Sequence, residues 1–86
     1  MRVFKEHHSD GTYYFNERDE LHREDGPAVE WASGDKSWFI NGKRHRIDGP
    51  AVEYSNGYKI WFINDQYLTE EEFNKRITKL YKILYG

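Results

Sequence analysis

The chain has 86 residues, with 13 Lys+Arg against 15 Asp+Glu, a formal charge of -2, a sequence pI near 6.1 and a mean hydropathy of -1.02. A domain this short buries only about 60% of its unfolded surface, which excludes a second core and leaves the 17% aromatic residues to supply most of the apolar burial. The absence of cysteine excludes a disulfide framework, a thiol nucleophile and thiolate metal sites, and no apolar run approaches the ~18 residues of a membrane span.

The first 20 residues predict a degenerate hairpin, with strands over residues 3–8 and 12–16 around Asp10-Gly11 and with Phe15 in the position later held by Trp38. A loop over 17–26 leads into two tandem repeats. Residues 21–43 (LHREDGPAVEWASGDKSWFINGK) and 44–66 (RHRIDGPAVEYSNGYKIWFINDQ) agree at 14 of 23 positions without a gap. Each copy predicts one β-hairpin, turned by a two-residue loop at Ser33-Gly34 or Asn56-Gly57, because Gly and Asn tolerate positive φ. Centred there, Val29 falls opposite Trp38 and Val52 opposite Trp61. Alternation then gathers Val29, Trp31, Trp38, Ile40, Val52, Tyr54, Trp61 and Ile63 on a core face, with Trp38 and Trp61 buried together. Phe39, Phe62 and Ile60 go to the second face, among Ala28, Ala51, Glu30, Glu53 and Ser37. Pro27 and Pro50 stand at strand entrances, where a missing N–H is tolerated.

From Thr69 the pattern turns helical. Thr69-Glu70-Glu71-Glu72 has the form of a capping box, and Phe73, Ile77, Leu80, Tyr81 and Leu84 recur at helical spacing, which predicts a helix over about 70–84 within a terminal segment 69–85. Its acidic start and basic finish suit the helix dipole, and its apolar stripe is expected to cover the aromatic sheet face. The fold class is therefore α+β, in a single domain over 1–86: an antiparallel meander of three hairpins, about six strands, with one C-terminal helix packed on it.

Candidate chemistry is sparse. His22 and His45 occupy equivalent places in consecutive hairpins, about 9.6 Å apart at ordinary strand spacing, too far to share a metal ion. His7 and His8 are strand neighbours that point to opposite faces, so no metal or other cofactor is expected. Arg23/Asp25 and Arg46/Asp48 recur with the repeat and read first as loop-stabilising pairs. With His22, Arg44 and His45 they also define a basic edge able to meet a small anion or nucleotide. Lys43-Arg44-His45-Arg46 is the one basic cluster in the repeats, too little for nucleic acid against a net negative charge. No nucleophile elbow, phosphate loop or His-Glu-x-x-His is present, so the chain is read as non-enzymatic. Protein binding is the function expected, with Phe39, Phe62 and Ile60 as the apolar contact and Arg23, Arg44, His45 and Arg46 as its polar edge.

The block His-Arg-x-Asp-Gly-Pro-Ala with x-Gly-x-x-x-Trp-Phe-Ile-Asn resembles the tandem repeats of many small proteins of tailed bacteriophages, and Tyr67-Leu68-Thr69-Glu70-Glu71-Glu72-Phe73 is similar to the tail those proteins carry. The likeness covers about residues 21–76. More loosely the unit resembles a MORN-repeat variant, with Asp-Gly-Pro where that family has Gly-x-Gly. The phage resemblance implies a small protein that binds a host protein, such as a defence component, in the host cytoplasm. A homodimer through Phe39, Phe62 and Ile60 is the other expectation for that face, and no membrane partner is expected.

Overall fold

The computed structural model describes residues 2–85; Met1 and Gly86, the ends of the expected domain, lie outside the described residues. It contains an antiparallel sheet of β1 (Phe4–His8), β2 (Gly11–Phe15), β3 (Val29–Trp31), β4 (Lys36–Ser37), β7 (Val52–Glu53), β8 (Lys59–Ile63) and β9 (Gln66–Leu68), paired in that order. A short ribbon of β5 (Phe39–Ile40) and β6 (Lys43–Arg44) lies between β4 and β7 in the chain, and α1 (Glu70–Tyr85) closes it. The architecture is the expected α+β meander with a C-terminal helix packed against it. The described strands number nine rather than about six.

The additional strands come from a second turn in each repeat. Asn41-Gly42 (φ 49° and 79°) and Asn64-Asp65 (φ 48° and 66°) place two consecutive residues at positive φ, as a tight hairpin turn with the twist of its strands requires. Beyond Ser37, the long strand of the first repeat therefore leaves one neighbour and takes another. Phe39 pairs with Arg44, while the Arg23 amide donates to the Phe39 carbonyl at 3.1 Å. The next repeat does the same, with Phe62 opposite Tyr67 and the Arg46 amide donating to Phe62 at 3.2 Å. Residues 20–23, expected within a loop, run extended instead: Leu21 bridges Phe15, and the His22 amide donates to Tyr14 at 2.9 Å.

The first turn of each repeat is one residue longer than expected, and this moves the register. Trp31 donates to the Asp35 carbonyl and Gly34 back to Trp31, both at 2.9 Å, enclosing three residues, with Gly34 at φ 98°. Tyr54 and Tyr58 repeat the arrangement around Gly57 at φ 94°. Val29 consequently faces Ser37 and Val52 faces Ile60, rather than Trp38 and Trp61. The amino-terminal hairpin keeps a two-residue turn, pairing His8 with Gly11. Its offset thus differs by one, and Tyr14 rather than Phe15 takes the place of Trp38. Gly11 is required by a close approach: a Cβ there would sit 2.6 Å from the Glu30 carbonyl oxygen.

A one-residue slip exchanges faces. Tyr13, Val29, Ser37, Val52 and Ile60 form one cross-strand row, and Thr12, Glu30, Lys36, Glu53 and Lys59 form the next, on the opposite face and alternating in charge. The single core face expected from Val29, Trp31, Trp38, Ile40, Val52, Tyr54, Trp61 and Ile63 is therefore divided. Val29 and Val52 are buried with Ser37 on the first face, and Tyr54 is 41% exposed. Trp38 and Trp61 are only half-buried, on the second face, each with its own cover.

That second face carries a ladder of capped aromatics. The Arg23 guanidinium lies over Tyr14 at 4.1 Å and that of Arg46 over Trp38 at 3.9 Å. At Trp61 the cap is Phe73 of α1, 6.5 Å between centroids. One repeat after Arg46 the chain reaches Thr69 and turns helical, so the helix replaces the arginine that would close a further repeat. Its start is a capping box: the Thr69 amide donates to Glu72 Oε1 at 2.9 Å and the Glu72 amide to Thr69 Oγ1 at 3.1 Å. Hydrogen bonding to the Glu72 carboxyl, from the Thr69 amide first and the Thr69 side chain second, holds it below its ordinary range. Only the first half of α1 reaches the sheet. Phe73 and Leu68 are buried there, while Leu80, Tyr81, Ile83 and Leu84 are exposed, so the helix does not cover the face as expected. The molecule measures 43 × 32 × 18 Å, and its thin dimension accommodates one sheet with side chains on either side.

Candidate functional site

The loops that follow each histidine are built around an arginine. Arg46 Nε donates to Asp48 at 2.8 Å, and its Nη1 donates to the Pro50 carbonyl at 3.0 Å and to Glu53 at 2.8 Å. Arg23 repeats the set with Asp25 at 3.1 Å, the Pro27 carbonyl at 3.2 Å and Glu30 at 3.0 Å. Each guanidinium lies so close to a glycine that a Cβ on Gly26 would stand 3.0 Å from Arg23 Cζ, and one on Gly49 2.9 Å from Arg46 Cζ. The recurring Asp-Gly-Pro thereby acquires one physical account. Asp receives Nε, Gly admits the planar group, and the Pro carbonyl accepts from Nη1.

The histidines also serve the fold. His22 is 1% exposed and its Nδ1 accepts from the Asn41 amide at 3.0 Å; His45 Nδ1 accepts from Asn64 at 3.1 Å. Each ring thus braces the positive-φ turn of its own repeat. With Nδ1 accepting, the neutral ring carries its proton on Nε2. In His22 that atom is buried without a hydrogen-bond partner among the described residues, 3.6 Å from Glu24. Burial lowers the pKa of His45. No group of three or more His, Cys, Asp or Glu able to hold a metal ion occurs among the described residues.

The other predicted residues meet on the first face. Arg44, directly opposite Phe39 in the β5–β6 ribbon, has its guanidinium 5.5 Å from the ring of Phe39 and 5.5 Å from that of Phe62. Its amide donates to Asp65 Oδ1 at 2.8 Å, which ties it to the turn of the second repeat. Tyr67 meets Phe62 edge-on at 6.0 Å. Alongside, Trp31, Ser37, Val52, Tyr54, Ile60 and Phe62 line a shallow hollow of about 520 Å³, with Arg44 and Asp35 at its margin. Asp35 accepts from the Ser55 amide at 2.7 Å, which lowers its pKa and pins the two repeat turns together.

The structure therefore brings Phe39, Phe62, Ile60 and Arg44 together, and places Arg23, Arg46 and His45 on the second face beside a different groove. Ser37 does accompany the aromatics, although buried, while Glu30 and Glu53 face the other way in the charged row. Trp31 and Tyr54, assigned to the core by the shorter turn, belong to this candidate site. No local signal separates them from the core, because Ser33-Gly34 suits a two-residue or a three-residue turn and that choice alone sets their face. Among the described residues no helix is long and apolar enough to cross a membrane. No family model matches the chain, and neither the curated proteins nor the solved structures provide a match.

Proposed function

We propose that the protein is a non-enzymatic binding module that takes a protein partner on the face of Phe39, Arg44, Ile60 and Phe62. The observation that carries this reading is the arginine held between two phenylalanines of successive repeats, flanked by Tyr54 and Tyr67, which are 41% and 62% exposed. Aromatic and arginine side chains dominate the binding energy of protein interfaces, the aromatics because they bury large areas at small entropic cost and arginine because its planar guanidinium both stacks and donates hydrogen bonds. A rigid sheet presents them without ordering a loop on binding. The phage-protein resemblance makes a bacterial host protein the first class of partner to screen, and inhibition of that protein the consequence of binding.

The alternative, a small-anion or nucleotide site at the basic edge, finds less support. Arg23 and Arg46 are committed to internal carboxylates and carbonyls, and Arg44 lies on the opposite face from both. Affinity capture compared between the parent and Phe62→Asp or Arg44→Glu tests the first reading, which requires the same captured protein to be lost from both variants. Thermal shift against a panel of nucleotides and inorganic phosphate tests the second. A ligand at 100 times its Kd adds about 2.7 kcal/mol, readily visible in a domain of this size. A rise in melting temperature that Arg46→Ala removes and Phe62→Asp does not would overturn the protein-binding reading.

A further inference from the structure

We propose, on the protein-binding reading of this face, that the hollow between Asp35 and Arg44 takes an extended segment of the partner whose alternate residues read acidic, apolar, basic. Asp35, Ser37 and Phe39 are alternate residues along one stretch of extended chain, and Phe39 stands directly opposite Arg44 in the β5–β6 ribbon. The hollow therefore has an anion at one end, near Trp31 and Tyr54, and a cation at the other, against Phe62, about 13 Å of chain apart. Between them the cross-strand row of Ser37, Val52 and Ile60 makes a mainly apolar floor, with Ser37 and Val52 buried.

Both ions are available to a partner. Arg23 and Arg46 each hold two carboxylates, whereas Arg44 pairs with none among the described residues and meets two phenylalanine rings instead. Those rings restrain the guanidinium before a carboxylate arrives, so little side-chain entropy remains to be lost on binding. Asp35 accepts from the Ser55 amide at 2.7 Å and has no basic partner among the described residues, which leaves its charge to the hollow. Asp65, whose carboxylate accepts from the Arg44 amide at 2.8 Å, does not line it. Size selects the form of the segment. About 520 Å³ spread over about 13 Å is a cross-section of about 40 Å², room for one row of side chains and about half that of a helix about 10 Å across. Residues i and i+4 of an extended chain are also about 13 Å apart, so the acid meets Arg44 and the base meets Asp35 with the apolar residue i+2 over the floor.

Selection of short random peptides displayed on yeast against the whole chain, then anisotropy of the fluorescein-labelled peptide selected, tests the proposal. The parent is expected to enrich an acid and a base at that spacing around an apolar residue, in either order along the peptide. Phe62→Asp should abolish the binding. Arg44→Glu should weaken it about tenfold or more and regain affinity for a peptide whose acid is replaced by lysine, a gain that a misfolded variant cannot give. Asp35→Asn, which keeps the acceptor for the Ser55 amide, should cost about threefold and remove the preference for the basic residue. Peptides that depend on Phe62 but carry no such charges, or carry them at a helical spacing of about nine residues, overturn the proposal and leave protein binding on this face standing. So does an Arg44→Glu variant that the lysine peptide fails to rescue. Selection that yields no peptide dependent on Phe62 overturns both.

Discussion

Replacing Gly49 by alanine should destabilise the protein only while Arg46 is present. The backbone at Gly49 lies outside the left-handed region, so alanine is conformationally acceptable, but its Cβ would stand 2.9 Å from Arg46 Cζ where ordinary contact begins near 3.4 Å. The guanidinium must then retreat by about half an ångström or more, away from Glu53 at 2.8 Å and the Pro50 carbonyl at 3.0 Å, bonds that weaken steeply over that distance. Arg46→Ala removes these two bonds, the exposed bond to Asp48, which contributes little, and the stacking on Trp38. At about 1 kcal/mol for each partly buried charge-assisted bond and about 0.5–1 kcal/mol for the stacking, the loss is about 2–3 kcal/mol. Gly49→Ala, which strains the same contacts without deleting them, should cost about 1–2 kcal/mol. In the Arg46→Ala background the clash is gone, and Gly49→Ala should be neutral or stabilising by about 0.4–1 kcal/mol through the unfolded chain. Urea unfolding followed by tryptophan fluorescence measures all four corners of this cycle. Against a total stability of about 4–13 kcal/mol for a chain of this length, the coupling is easily resolved. Additive costs would show that the glycine serves the turn rather than the arginine and would refute this account of Asp-Gly-Pro.

Three further outcomes are expected. Thr69→Ala removes one half of the capping box and should lower stability by about 1 kcal/mol in thermal unfolding, whereas Thr69→Ser should retain most of it. Because burial depresses the pKa of His45, the unfolded chain takes up the proton more readily; its contribution to stability is full above the ordinary imidazole value near 6.5 and declines as pH falls below it, a slope that His45→Leu should remove from urea titrations between neutral and mildly acidic pH. Gly11→Ala drives a Cβ to 2.6 Å from the Glu30 carbonyl and 2.9 Å from Trp31 Cα, so β2 and β3 must separate, and its loss in the same assay should far exceed the about 1 kcal/mol expected of Gly57→Ala, which meets open space and only an unfavourable φ.

Much of this molecule is written locally. The repeat, the capping box at Thr69, the turns at Gly34 and Gly57 and the start of the helix follow from residues a few positions apart, and the sequence determines them without reference to the rest of the chain. The assignment of faces does not, because it depends on whether a turn encloses two residues or three, and Ser33-Gly34 is compatible with both. That single residue moved Trp31 and Tyr54 from the core to the candidate site and set Trp38 and Trp61 on the other side. The basic edge likewise had two meanings in sequence, since a recurring Arg-x-Asp serves a loop or a ligand equally well. Only the tertiary arrangement, with Tyr14 and Trp38 beneath the guanidinium groups and Glu30 and Glu53 beside them, committed Arg23 and Arg46 to the fold and left Arg44 between Phe39 and Phe62. Helical periodicity predicted that α1 has an apolar stripe; how far that stripe is covered depends on where the sheet ends beneath it, which is set by strand count and register and by no property of the helix itself.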